Sequence, residues 1–167
     1  NLVVNEQVMK RLGPAIISGK SIFLYGPPGN GKTSFAEAIG KTLTETVYIP
    51  HAILVGGEII RIFDPVNHIP AEPVVSEEVL DKRWLFIQRP VIVTGGELTL
   101  KTLDLEFDPV SKFYLAPLQM KANNGLLIID DFGRQPIEPK MLLNRWIVPL
   151  ERRVDFMTLH TGMKFEI

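Results

Sequence analysis

Residues 26 to 33 read Gly26-Pro27-Pro28-Gly29-Asn30-Gly31-Lys32-Thr33, followed by Ser34. Glycine, four residues, glycine, lysine and threonine is a complete Walker A pattern, and it demands a strand before it and a helix after it. Both flanks agree. The apolar run Ser21–Tyr25 precedes the motif, and Phe35, Ala36, Ile39 and Leu43 recur behind it at helical spacing. Glycines let the backbone wrap phosphate oxygens with no Cβ in the way. The loop N–H groups and the helix N-terminus then face an anion. Lys32 supplies a cation for the β- and γ-phosphates, and Thr33 an oxygen for Mg²⁺. The competing reading is a glycine-rich turn with a chance Lys-Thr, and the flanks argue against it. The expected cofactor-binding residues are thus Gly26, Pro27, Pro28, Gly29, Asn30, Gly31, Lys32, Thr33 and Ser34.

A second signal lies at Gly125, where the apolar residues Leu126, Leu127, Ile128 and Ile129 run into Asp130 and Asp131. Four consecutive apolar residues fit a strand buried on both faces of a parallel sheet. Carboxylates at its C-terminal end lie where open α/β sheets bind ligands. This is a Walker B pattern, with Asp130 expected to hold Mg²⁺ through water. Asp131 stands where many ATP hydrolases carry a glutamate that orients the attacking water. The bland reading, two solvated Asp residues opening a loop, weakens once Walker A is present.

These residues resemble the AAA+ ATPases, and within them the MoxR-like branch. The Pro27-Pro28 pair inside Walker A is typical of that superfamily. The run from Leu127 to Arg134 is similar to the branch's Walker B region. Met141 to Trp146 and then Pro149 to Val154 resemble its next helix, which ends in a leucine, glutamate, basic turn and enters a hairpin. The resemblance covers 1–50 and 111–167 well and 51–110 poorly. It implies a P-loop NTPase core, an α/β fold with a parallel sheet flanked by helices, as in the AAA+ large subdomain. It implies ATP and Mg²⁺ as cofactors, Lys32 and Asp131 as catalytic residues, Thr33 and Asp130 at the metal, and a homo-oligomeric ring acting on a protein client. Asp131 departs from the family glutamate by one methylene, which shortens its reach and predicts slow hydrolysis. Sensor 1, the arginine finger and the helical lid of the family would lie beyond Ile167, so no residue here takes those roles.

Composition bounds the rest. At 167 residues, with 46% hydrophobic and 22% charged content, the chain has the length and make-up of one globular domain with a sizeable core. A net charge of −1 gives no global basic field for nucleic acid, although a local basic channel in an oligomer stays open. Without cysteine there is no disulfide and no thiolate metal site, which suits a reducing cytoplasm. No apolar run approaches the roughly 20 residues of a membrane span, and no signal peptide is evident. Starting at Asn1 and stopping at Ile167 in a strand-like run, the chain reads as a fragment.

Helical spacing predicts an N-terminal helix over 3–18, ending at Gly19, and a helix over 138–152 with Pro139 in its first turn. Strands are expected at 46–50 and 125–130, and a hairpin from 154–158 and 163–167 around His160-Thr161-Gly162. The interval from Lys32 to Asp130 is long for an AAA+ core, which predicts an insertion over about 51–110. That interval repeats itself. Ile53 to Ile60 and Val91 to Leu98 each carry Gly-Gly-Glu after an apolar run, and each is followed by Phe-Asp-Pro-Val, at 63–66 and 107–110. Gly-Gly between β-branched runs signals a two-residue hairpin turn, and Asp-Pro a turn or strand end. Two similar β-hairpins are therefore expected, unless such turns recur by chance. Residues 71–78 read as a linker.

The remaining polar and aromatic residues have plainer readings. His51, His68 and His160 lack ligand spacing. Trp84 and Trp146 are expected to pack rather than stack on bases. Arg83 and Arg89 read as rim charges ahead of nucleotide contacts, and Arg145, Arg152 and Arg153 as complements to a helix C-terminus ahead of partner-facing charges. Arg134 stays open between a nucleotide contact and a rim charge. Three function classes survive: an AAA+ ATPase, a P-loop small-molecule kinase, and a nucleotide-gated binding module with little hydrolysis.

Overall fold

Helical spacing of apolar residues governs the N-terminal part of the chain, and strand alternation governs most of the rest. The chain divides accordingly, in a computed structural model that describes residues 6–27, 29–72 and 81–167, into two compact units, Asn1–Leu43 and Thr44–Ile167. In the smaller unit, α1 (Glu6–Ile17) ends where Gly19 turns to φ 59° and its N–H reaches the Ile16 carbonyl at 3.1 Å. The first residues of the expected helix lie outside the described residues. Helix α2 (Lys32–Thr42) follows the glycine loop, as the motif requires.

The strand expected over Ser21–Tyr25 is a correction. That stretch is not a strand, and Phe23 and Tyr25 are 70% and 87% exposed. A strand needs a neighbour to take its N–H and C=O groups, and the described part of this unit contains none.

The larger unit holds β1 (Thr46–Pro50), β2 (Ala52–Val55), β3 (Glu58–Arg61), β4 (Trp84–Gln88), β5 (Val91–Thr94), β6 (Glu106–Asp108), β7 (Phe113–Leu115), α3 (Leu118–Lys121), β8 (Leu126–Ile129), α4 (Pro139–Arg152), β9 (Phe156–Thr158) and β10 (Lys164–Glu166). Strands β1 and β4 pair antiparallel, with Tyr48 opposite Phe86. A mixed sheet runs β2-β3-β7-β6, parallel only between β3 and β7. Strands β5 and β8 pair parallel, with Thr94 opposite Ile129, and β9 and β10 form the expected C-terminal hairpin. The α/β class therefore holds, as several small sheets, some of them parallel, in place of the expected single parallel sheet.

Of the two expected Gly-Gly hairpins, one forms. Val55 and Glu58 close the β2–β3 ladder around Gly56 and Gly57, whose φ values of 58° and 85° are those a type I′ turn requires. The second is a correction. Gly95 and Gly96 have no positive φ, and no strand returns along β5. The competing demand is burial: β5 is taken up by β8, and the chain past Gly96 drives Leu98 into a core with Leu103 and Leu142. The Asp-Pro half of the repeat survives in detail. Asp64 Oδ1 accepts the Val66 N–H at 3.0 Å, and Asp108 Oδ1 accepts the Val110 N–H at 2.9 Å. Each is an Asx turn around a proline.

Two apolar clusters carry the larger unit. Ile60, Ile62, Tyr114, Ala116 and Leu159 form one, and Leu98, Leu103 and Leu142 the other, which Trp146 packs against. Trp84 departs from its expected packing role and stays 49% exposed on the aromatic face of the β1–β4 pair. Arg145 is engaged away from the α4 C-terminus. It forms a two-pronged pair with Asp155, at 2.7 and 2.8 Å, tying α4 to the hairpin. Arg83 pairs with Asp81 and Arg89 with Glu45.

His68 is fully buried and structural: Nδ1 accepts the Asp64 N–H at 3.1 Å and Nε2 meets the Lys121 carbonyl at 2.8 Å. A backbone N–H can only donate and a carbonyl only accept, so the proton sits on Nε2. Beside it, Asp64 takes the Lys121 ammonium at 2.8 Å. Burial pushes the Asp64 carboxyl up, but hydrogen bonds from Lys121, the Val66 N–H and Asn67 together bring it down to about 2.

Two tests follow from this packing. A side chain at Gly56 would strain a left-handed φ and place its Cβ 2.3 Å from Met163 Sδ, whereas Gly95 has an ordinary φ. Gly56→Ala should cost about 1–2 kcal/mol in urea denaturation, and Gly95→Ala less than about 0.5. For Asp64, whose folded value lies below the ordinary 3.8, the contribution is complete above that value and disappears as pH falls through about 2. The stability gap between the parent and Asp64→Asn, on the order of 1–2 kcal/mol at neutral pH, should close over that window in pH-resolved denaturation.

Candidate functional site

The glycine loop and the first turn of α2 form the candidate element of the smaller unit. Gly29 and Gly31 sit at φ 81° and 69°, and a Cβ at either would meet nothing within 4 Å. Gly31 is the N-cap of α2 and has no side chain with which to bond the first turn, which also carries no acidic residue. Helix N-termini present N–H groups and the positive end of the peptide dipoles. One capped by glycine, with no carboxylate in its first turn, suits an external anion. The Lys32 ammonium arches back over the loop, donating to the Gly26 carbonyl at 3.0 Å and the Pro27 carbonyl at 2.9 Å. Thr33 and Ser34 follow Lys32 in the same helical turn. Pro28 lies outside the described residues.

The candidate element of the larger unit lies at the C-terminal ends of β5 and β8. The ladder continues one step past the strands, with the Asp130 N–H on the Thr94 carbonyl at 2.8 Å. The Asp131 N–H then bonds Asp130 Oδ1 at 2.8 Å, and Asp131 itself turns to φ 49°. A residue with a Cβ adopts that conformation infrequently, and aspartate tolerates it better than most. The Asp131 carboxylate lies 3.4 Å from the Arg134 guanidinium, and both are exposed. Arg134 therefore sits on the turn as a partner of the candidate catalytic carboxylate.

Two residues that the sequence reading passed over join this turn to the end of β5. Glu97 Oε1 accepts the Thr94 hydroxyl and the Gly95 N–H, each at 2.9 Å. Hydrogen bonds from the Gly95 N–H, its own N–H and the Thr94 hydroxyl hold its carboxyl below the ordinary glutamate value. Gln135, buried in the turn, bonds the Asp130 and Gly95 carbonyls and the Gly133 N–H. Glu97 was disguised by its place in an apparent hairpin repeat. Gln135 follows Arg134 in a run with no periodicity, and only the long-range pairing of β5 with β8 gives it partners.

Gly26, Pro27, Gly29, Asn30, Gly31, Lys32, Thr33 and Ser34 belong to the smaller unit, and Asp130 and Asp131 to the larger. Within each unit the expected residues stand together on one loop or turn. No family model and no curated protein matches the chain.

Proposed function

We propose that the chain is the nucleotide-binding core of a magnesium-dependent ATPase of the AAA+ type. The observation that carries this reading is the α2 N-terminus, capped by the left-handed Gly31 and carrying Lys32 as its first residue. A triphosphate fits it chemically: backbone N–H groups and an ammonium for the phosphates, and the Thr33 hydroxyl for a metal ion. When bound, ATP with Mg²⁺ supplies the transferable phosphoryl group and the cation that neutralises it. Gly26 to Ser34 hold the phosphates, and Lys32 exchanges its two loop carbonyls for phosphate oxygens. Thr33 and Asp130 are the metal ligands in this reading, and Asp131 orients the attacking water and takes its proton. The P-loop NTPase core, the homo-oligomeric ring, a protein client and a cytoplasmic setting belong to the same proposal. Among the described residues no helix is long and apolar enough to cross a membrane.

One observation favours a second reading, a nucleotide-gated module with little turnover: the short Asp131 side chain hangs from a left-handed backbone and faces Arg134. Turnover decides between them, and phosphate release without any acceptor separates both from a small-molecule kinase.

Lys32→Ala should weaken ATP binding at least ten-fold in calorimetric titration, since a charge-assisted hydrogen bond is worth about 1.5–3 kcal/mol. Equal affinity of the two proteins would remove Lys32 from the phosphates. Asp131→Asn should keep ATP affinity while steady-state phosphate release falls on the order of 100-fold. Release at the parental rate would assign the water to another group.

A further inference from the structure

Gln135 is 7% exposed, in a turn where Asp131, Phe132, Gly133 and Arg134 are all exposed. Its carboxamide is used at every position. Nε2 donates to the Asp130 carbonyl at 2.9 Å and to the Gly95 carbonyl at 3.2 Å, and Oε1 accepts the Gly133 N–H at 2.8 Å. The turn it grips is conformationally demanding, because Asp131 and Gly133 take φ values of 49° and 94°. Residues in such conformations persist where their surroundings over-determine them. The Arg134 N–H closes the turn on the Asp131 carbonyl at 2.9 Å, and Gln135 pins it at both ends. The grip reaches beyond the turn, because Gly95 ends the parallel neighbour strand and is held in turn by Glu97.

We propose that Gln135 is a positioning residue for hydrolysis: its carboxamide fixes the Asp130–Gly133 turn against the end of β5, and so fixes where the Asp131 carboxylate stands. The inference rests on the ATPase reading. It also explains the residue type. The site offers two carbonyls and one N–H, and an amide matches that set with two donors and one acceptor. A carboxylate can take the Gly133 N–H but meets two carbonyl oxygens with no proton to give. Methionine fills the space and bonds none of the three. Asparagine is a methylene short. Gln135 touches no reacting atom in this account, so its removal should act on kcat and leave ATP affinity alone.

The test uses Gln135→Met and Gln135→Glu in the whole chain. ATP affinity is read by calorimetry, kcat by phosphate release, and the turn by hydrogen exchange at the Gly133 amide. ATP affinity should stay within two-fold of the parent and kcat should fall ten-fold or more in both, and in Gln135→Met Gly133 should exchange at least ten-fold faster. Gln135→Glu keeps the volume and the Gly133 acceptor, so it carries the test where Gln135→Met unfolds. For that variant the kcat fall decides. A kcat within two-fold of a parent that turns over overturns the positioning role alone. A parent that binds no ATP, or binds it and releases no phosphate, overturns the hydrolytic reading and this inference with it.

Discussion

Parallel strands cannot be joined by a tight turn, and the pairing of β5 with β8 imposes that constraint on the larger unit. Everything from Gly95 to Gly125 is the crossover. It packs Leu98 and Leu103 against Leu142 of α4, contributes β6 and β7 to the mixed sheet, and returns through α3. The return is tight, because a Cβ on Gly125 would lie 2.0 Å from the Pro90 carbonyl oxygen. Only glycine lets β8 start directly beside β5. The reward for this long connection is at the other end, where two strands finish side by side and two loops leave in the same place. Thr94, Gly95 and Glu97 come from one, and Asp130 to Gln135 from the other. C-terminal ends of parallel strands are where α/β proteins bind ligands, and here the hydrogen bonds of Gln135 join the two loops.

What could be read from the sequence was what depends on neighbours along the chain. The α2 helix behind the glycine loop, α4 with Pro139 at its start, the C-terminal hairpin and the Gly56-Gly57 turn all follow from local rules: a missing Cβ, a missing N–H, a 3.6 or 2.0 periodicity. What could not be read depends on partners distant in sequence. Gly95-Gly96 carries the same letters as Gly56-Gly57, yet β8 captures the strand before it and the core captures Leu98 after it. Ser21–Tyr25 has the composition of a strand, and strandhood is a property of a pair. Arg145 looked like a helix-end charge until Asp155, on the far side of the α4 terminus, gave it a carboxylate with matching geometry.

The Asp131 turn shows the same division at the candidate site. Sequence identifies two carboxylates at the end of an apolar run, and the proposed function assigns them to a metal and a water. The backbone conformation of Asp131, its approach to Arg134 and the grip of Gln135 are tertiary facts. In the proposed function they bear on the rate of hydrolysis more than on the binding of nucleotide, which would draw chiefly on the loop and helix terminus of the smaller unit. Recognition in the proposed function is thus written almost wholly in the nine residues from Gly26 to Ser34, and turnover is assembled from residues far apart in the chain.

The central claim of the proposed function is that the glycine loop binds ATP and the Walker B carboxylate answers to its Mg²⁺. Backbone amide NMR during a titration with ATP and Mg²⁺ tests it most directly. Saturable shifts at Gly29, Gly31, Lys32 and Thr33, accompanied by shifts at Asp130 and Asp131 that need Mg²⁺, are the predicted result. Unmoved loop amides at saturating ATP, or loop shifts with Asp130 and Asp131 unchanged by the metal, would contradict it.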